Sequence, residues 1–275
     1  MPMSHKTVLV TGATAGLGRR LTERLADRGA TLLLHGRDEE RLAAQCRDLR
    51  AKGVEAHPLV ADFSALSEVR DLAARLEARR ATVDVLINNA GVGPGAEGSE
   101  RETSRDGHEL RFAVGYLAPC LLTRLLLPAL RRSPSARVVN VGSAAQADID
   151  LADLEMATSY HGWIAYGRAK LALASFTVDL AEEVKADGIT VNCVHPADLM
   201  PTALVRETGL APASTLEQGA EAVLRLACAP EGDTATGLYF NGLTQAAPHD
   251  AVMDPDTRPA LREATVRLLA GCRPR

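Results

Sequence analysis

Lysine is scarce in this chain. Of its 31 Lys and Arg residues only four are Lys, at positions 6, 52, 170 and 185, a bias that reads as genomic base composition. Acidic and basic residues are mixed along the sequence and leave a net charge of −4. There is no basic stripe of the kind a phosphate backbone requires, so nucleic acid is not an expected partner. Cysteine is sparse and odd in number. The five, at 46, 120, 193, 228 and 272, show no C-x-x-C and no His at ligand spacing, so neither a disulfide nor a metal site is expected. Long apolar runs are missing too. The most apolar stretch, Leu121 to Leu130, is interrupted by Thr123, Arg124 and Pro128, and it falls well short of the roughly 20 residues a bilayer span needs. His5 and Lys6 are the only basic residues before Val8-Leu9-Val10, with no apolar segment of the signal-peptide kind. The expected address is the cytoplasm, away from the membrane.

The composition that remains, 46% apolar and 24% charged, is that of a folded globular protein with a sizeable core. A length of 275 residues admits one or two domains. With no internal repeat, low-complexity linker or composition break, we expect a single domain over residues 1–275, with a cofactor half to about 135 and a catalytic and substrate half beyond it.

Two periodicities alternate. Short β-rich runs at Thr7 to Val10, Thr31 to Leu34, Val54 to Val60, Val83 to Ile87 and Arg137 to Val141 are separated by Ala/Leu/Arg/Glu segments near 17–28, 39–52, 65–80 and 108–131. Beyond them the pattern predicts a helix near 164–187, a strand at Ile189 to Val194, a helix near 215–229 and a last strand around Gly237 to Phe240. Strand-helix alternation implies an α/β fold, a Rossmann-type doubly wound parallel sheet with helices on both faces. Two stretches stand apart, Gly91 to Gly107 and Pro196 to Ser214. Both follow predicted strands, at the carboxyl edge where such sheets bind ligands.

Directly after the first strand comes Thr11-Gly12-Ala13-Thr14-Ala15-Gly16-Leu17-Gly18, opening a helix expected to begin near Arg19. Glycines here allow a tight turn and close approach of backbone to a pyrophosphate, and the helix N-terminus favours the anion. The second predicted strand ends at His35-Gly36-Arg37-Asp38. An acid at this point would hold a ribose 2′-hydroxyl, whereas an arginine fork pairs with a 2′-phosphate. Arg37 therefore argues for NADP(H), with Asp38 as a helix N-cap; the opposite assignment makes Asp38 the ribose ligand. Tyr166 and Lys170 are four apart on a predicted helix and share one face. A free phenol holds its proton too tightly to exchange it well at neutral pH, and a neighbouring cation eases its release. Lys170 supplies that cation.

The Gly-x3-Gly-x-Gly spacing, Asn88-Asn89-Ala90-Gly91 after the fourth strand and Tyr166-Gly167-Arg168-Ala169-Lys170 resemble the short-chain dehydrogenase/reductase family over nearly the whole chain. The resemblance implies that Gly12, Thr14, Ala15, Gly16, Leu17 and Gly18 cradle the pyrophosphate, and that Asn89, Ala90 and Gly91 line the adenine-ribose side. It places Asp62 and Phe63 at the adenine, and Pro196 with Leu199 or Thr202 beside the nicotinamide carboxamide. Asp62 reads equally well as the N-cap of a helix near Ser64. The resemblance further implies Tyr166 as general acid and base, Lys170 on the nicotinamide ribose, and Ser143, after Val138-Val139-Asn140-Val141, as donor to the substrate carbonyl. The segment from Ile149 to Trp163 is similar to the retinol-dehydrogenase-like branch, which accepts lipophilic alcohols and ketones.

In His195-Pro196-Ala197 the family usually has Pro-Gly; His195 offers an acid or base, but closing a strand it reads first as structural. The following segment, with Leu199, Met200, Leu204, Val205 and Leu210, reads as a substrate lid with an apolar inner face, or as a surface loop. Helices at 108–131 and 164–187 resemble those that pair subunits in family dimers and tetramers, so a homodimer or homotetramer is expected. One departure stands out: Gly115 replaces an Asn that serves the family's proton relay, although glycine suits a kink. The expected activity is NADP(H)-dependent interconversion of a ketone and a secondary alcohol on a mid-sized, fairly apolar small molecule. The alternatives are a non-redox enzyme on the same fold, and a cofactor-binding scaffold.

Overall fold

The computed structural model describes residues 3–271; Cys272 lies outside them. Eight strands form one sheet in the order β3-β2-β1-β4-β5-β6-β7-β8. They are β1 (Thr7–Val10), β2 (Thr31–Gly36), β3 (Ala56–Val60), β4 (Val85–Asn88), β5 (Arg137–Val141), β6 (Thr190–His195), β7 (Tyr239–Asn241) and β8 (Thr244–Ala246). Every pairing is parallel except that of β7 with β8. The helices are α1 (Gly16–Ala26), α2 (Glu39–Ala51), α3 (Leu66–Ala78), α4 (Leu110–Phe112), α5 (Ala118–Leu125), α6 (Leu127–Arg131), α7 (Gly162–Glu183), α8 (Ala203–Glu207), α9 (Leu216–Cys228), α10 (Glu231–Thr234) and α11 (Thr257–Gly271).

Strands buried on both faces alternate their side chains between two cores. In β1, Val8 and Val10 pack with Leu21 of α1, Leu42 of α2 and Val223 of α9. Leu9 points the other way, into the core of Leu72 from α3, Leu122 from α5 and Leu173 from α7. The chain order reverses between β1 and β4, which opens a crevice at the carboxyl ends of the strands.

The predicted helix at 108–131 is not continuous. Between α4 and α5 lies a π-helical turn, Ala113–Leu117, in which the N–H of Ala118 donates to Ala113 O. The cause is Pro119, which has no N–H to offer the carbonyl of Gly115 and whose ring crowds it, so the four-residue ladder breaks there. α6 then begins over Leu127-Pro128. Helix 164–187 ends earlier than expected, with a short 3-10 turn at Lys185–Asp187. β8 and α11 are additional to the expected elements. α11 lies over the outer side of α5 and α7: Tyr116 shares a 2.7 Å hydrogen bond with Thr265, and Arg258 pairs with Asp179 at 3.1 Å. Any subunit pairing through that side of the molecule has to include α11. No helix among the described residues is long and apolar enough to cross a membrane.

Candidate active site

The glycine-rich turn is held from below by the end of β4. Thr11 Oγ accepts the N–H groups of Asn89 at 2.9 Å and Ala90 at 3.0 Å. Asn89 Nδ2 in turn donates to Thr11 O at 2.9 Å and Gly12 O at 3.2 Å. Its neighbour Asn88 steadies the sheet, donating to Thr123 Oγ at 2.9 Å and Asn140 Oδ1 at 2.8 Å. Gly12 (φ +65°) and Gly16 (φ +50°) occupy the left-handed region, while Gly18 is needed for close approach: a Cβ there would lie 2.0 Å from Gly12 O. α1 starts at Gly16, earlier than expected, with no side-chain cap from Ala15 and no acid in its first turn. Its free N–H groups and positive dipole end suit a pyrophosphate. Thr14 stands against Gly36, where a Cβ would meet its Cγ2 at 3.0 Å.

At the end of β2, His35 is 3% exposed and bonded at both ring nitrogens, Nδ1 to Gly12 N–H at 3.3 Å and Nε2 to Ala61 O at 3.0 Å. Phe63 stacks on this ring at 3.9 Å, so its side chain faces inward. Sequence reasoning does not single out His35; the one signal for it is a polar residue inside an otherwise apolar strand end. Arg37 is exposed, and among the described residues no partner holds its guanidinium. Asp38 caps α2, accepting from Arg41 N at 3.0 Å. Asp62 does not cap α3. Its carboxylate accepts from Ser64 N at 2.9 Å, and the first N–H of α3, on Leu66, is taken by Asp106.

Lys170 and Tyr166 share one face of α7, with Nζ 5.6 Å from the phenol ring centroid. Lys170 is 6% exposed and donates to Val141 O at 2.8 Å. A Cβ on Gly91 would lie 3.9 Å from Nζ, so the ends of β4, β5 and α7 converge on this amine. Ser143 follows β5. Its Oγ accepts from Ala145 N at 3.1 Å, and its carbonyl accepts from Tyr239 OH at 2.9 Å and Gln146 Nε2 at 3.1 Å. Tyr239 on β7, also unmarked in the sequence, thus anchors the serine loop, and it lies within electrostatic reach of Tyr166. Gly115 is buried in the π turn, and a Cβ there would meet only Ala169 Cβ, at 3.5 Å.

The segment 196–214 crosses the crevice. Pro196 is buried, Leu199 takes φ +40°, Thr202 Cγ2 comes within 3.1 Å of a Cβ on Gly16, and Leu204 packs on Gly93. Leu204 and Val205 are partly covered, but Leu210 is 46% exposed and does not face inward. On the opposite rim, Arg111 and Glu109 form a buried pair at 3.4 Å. Arg111 Nε donates to Gly93 O at 2.9 Å, and Tyr160 OH donates to Glu109 Oε1 at 3.1 Å. This network ties the stretch after β4 to the segment leading into α7. Among the described residues no cluster of three or more His, Cys, Asp or Glu side chains could hold a metal.

Residues 6–212 match the family described as short chain dehydrogenase. The chain is 35% identical to human retinol dehydrogenase 13, covering 96% of this chain and 84% of that protein. The crystal structure of an uncharacterized protein from Mycobacterium paratuberculosis superposes with a TM-score of 0.81 at 28% identity, covering 98% of this chain and 95% of that one. The RhlG/NADP active-site complex of Pseudomonas aeruginosa gives 0.69 at 27% identity, over 87% of this chain and 95% of that one. With a switch-point crevice, a Gly-x3-Gly-x-Gly turn and a Tyr-x3-Lys helix, the chain belongs to the short-chain dehydrogenase/reductase family, in its retinol-dehydrogenase-like branch.

Proposed function

We propose that this chain is an NADP(H)-dependent oxidoreductase that interconverts a ketone and a secondary alcohol on a mid-sized, fairly apolar substrate. The observation that carries this reading is the buried Lys170 beside the Tyr166 phenol at the mouth of the switch-point crevice. The bare backbone at Gly12 and Gly18, each backed by atoms that a Cβ would strike, fits a dinucleotide pyrophosphate, with Thr14, Ala15, Gly16 and Leu17 around it. When bound, the nicotinamide cofactor supplies or accepts the hydride. In reduction Tyr166 gives its proton to the carbonyl oxygen, and in oxidation it takes one from the alcohol. Lys170 keeps a positive charge beside the phenol and reaches toward the nicotinamide ribose. Ser143 donates to the carbonyl oxygen, as an oxyanion site shared with Tyr166. Asn89, Ala90, Gly91, Asp62 and Phe63 bound the adenine side, and Pro196 and Leu199 the carboxamide side.

Support for NADP(H) comes from Arg37, exposed at the end of β2 with no partner among the described residues, while the adjacent Asp38 is engaged as a helix cap. A structural relative binds NADP. The likeness to a retinol dehydrogenase and the apolar side chains of Trp163 and Ile164 at the surface, next to Tyr166, support a lipophilic substrate. A second reading, non-redox chemistry on the same fold, is favoured by Gly115 alone. The deciding experiment follows NADPH consumption and product mass together over a panel of aliphatic and aryl ketones. The reductase reading expects one NADPH consumed per alcohol formed, and a Tyr166→Phe variant that loses about 10²-fold or more in kcat while still binding cofactor. Near-normal reduction by Tyr166→Phe would refute it.

A further inference from the structure

Past the end of β5, side chains and backbone from the end of the chain hold Ser143. Gly142, just before it, is pinned to β6: its N–H donates to Val194 O at 2.8 Å, and a Cβ there would lie 2.6 Å from Cys193 Sγ. Beyond the serine the chain leaves the sheet. The Ser143 carbonyl accepts from Tyr239 OH at 2.9 Å and from Gln146 Nε2 at 3.1 Å. Gln146 is itself held, since its Oε1 accepts the backbone N–H of His249 at 3.2 Å. Tyr239 stands on β7 and His249 follows β8. The segment after β8 is anchored in turn by Val252, fully buried and packed with Leu171 and Ala174 of α7 and with Tyr239. The loop also rests on the tyrosine helix: a Cβ on Gly167, the residue after Tyr166, would strike Ala147 Cβ at 2.8 Å and meet Ala147 N at 3.0 Å.

These contacts decide where the hydroxyl points. Holding the Ser143 carbonyl fixes the plane of the peptide that follows, and so constrains the turn in which Ala145 N–H donates to Ser143 Oγ at 3.1 Å. An Oγ that accepts from the backbone still has its own hydrogen to give. If the peptide plane turns, the Ala145 contact and the aim of that hydrogen are both lost. A donor to a developing oxyanion is effective only when it is in place beforehand. Both groups that hold the carbonyl remain donors in the neutral range, because burial, the largest effect on Tyr239, keeps that phenol protonated and an amide does not titrate.

We propose that Tyr239 and Gln146 are positioning residues for the Ser143 hydroxyl, which makes the segment from β7 to Val252 part of the active site. This role rests on the reductase reading. In ketone reduction hydride reaches the carbonyl carbon, the Tyr166 O–H bond breaks and its proton goes to the carbonyl oxygen. The Ser143 O–H bond stays whole and only donates a hydrogen bond to that oxygen. Tyr239 and Gln146 touch no reacting atom and act through Ser143, so their influence on rate disappears when the serine hydroxyl is absent.

The test is a double-mutant cycle on the ketone of the panel that wild type reduces fastest, with saturating NADPH and a melting curve for every variant. Tyr239→Phe removes a single oxygen. Gln146→Glu keeps the size and the acceptor for His249 N–H, but sets a carboxylate oxygen against the Ser143 carbonyl. Each leaves that carbonyl one of its two donors, and each is made with Ser143 intact and together with Ser143→Ala. With the serine intact, kcat should fall about three- to tenfold for Tyr239→Phe and about tenfold or more for Gln146→Glu, with KM for NADPH unchanged. Ser143→Ala alone should lose about 10²-fold, and in that background either substitution should change kcat by less than about twofold. Losses of equal size in both backgrounds, or no loss with the serine intact, would overturn the positioning role alone. A wild type that reduces no ketone would overturn the reductase reading and this role with it.

Discussion

The backbone N–H of Gly12 donates to Nδ1 of His35 at 3.3 Å, while Nε2 of the same ring meets Ala61 O at 3.0 Å. An amide hydrogen on one side and a carbonyl on the other fix the neutral tautomer with its proton on Nε2. Burial pushes the pKa of His35 down from 6.5 to about 4, against smaller upward effects from Ala61 and Asp62. The glycine-rich turn is therefore positioned by a histidine that must stay uncharged.

Acid should loosen this arrangement. Above about pH 6.5 neither folded nor unfolded chain protonates His35, and its contribution is complete; between 6.5 and about 4 only the unfolded chain takes the proton, so stability falls and then levels off. The loss amounts to roughly 3 kcal/mol at most. Calorimetry should show His35→Asn melting below wild type at pH 7.5, with the Tm difference narrowing as pH falls toward 4. A difference that stays constant with pH would show that His35 acts by packing only.

Arg37→Ala should erase cofactor preference. A charge-assisted contact to a 2′-phosphate contributes roughly 1.5–3 kcal/mol, so NADPH should bind wild type about 10- to 100-fold more tightly than NADH. Calorimetric titration of both cofactors against both proteins checks this. A preference that survives the substitution would assign it elsewhere.

Gly115→Asn places its Cβ at an ordinary 3.5 Å from Ala169 Cβ while the π turn stays set by Pro119, and a melting curve alongside the assay checks that the buried amide is accommodated. Ketone reduction by this variant should equal or exceed that of wild type. The contrary result is product made by wild type without NADPH consumption and abolished by the bulk of the introduced amide side chain; that outcome favours non-redox chemistry.

Glu109→Gln should leave the Arg111 guanidinium, 2% exposed, without its buried partner. Glu102 still pairs with Arg111 at 3.1 Å, so the cost should fall below the about 3–5 kcal/mol of a fully orphaned buried charge, and the weakened anchor for Tyr160 should raise protease cleavage within 150–161. Replacing both residues, as Glu109→Gln with Arg111→Met, should recover part of the Tm. A single variant with wild-type Tm and cleavage pattern would remove the network from the account of this rim.

The parallel part of the sheet, β1 to β7, with the main helices between its strands, the glycine turn and the Tyr166–Lys170 face are readable in the sequence, because each depends on spacing within a few residues; β8, α8, α10 and α11 are not. The break in helix 108–131 is also written there, in Pro119, but an apolar period running through 110–130 masks it. Asp38 is ambiguous until the geometry of α2 shows its carboxylate on Arg41 N. Other features have no local signature. His35 acquires its role only when β3 brings Ala61 and Phe63 beside it. Glu109, Arg111 and Tyr160 become a network only when two segments about 50 positions apart meet in a dry site. The docking of α11 on α5 and α7 depends on surfaces that the rest of the chain must first build. Hydrophobic period and turn chemistry are properties of neighbours along the chain, so the sequence determines them directly. Burial, charge pairing and the sharing of a proton between strand ends depend on which segments meet in space, and only the tertiary structure decides that.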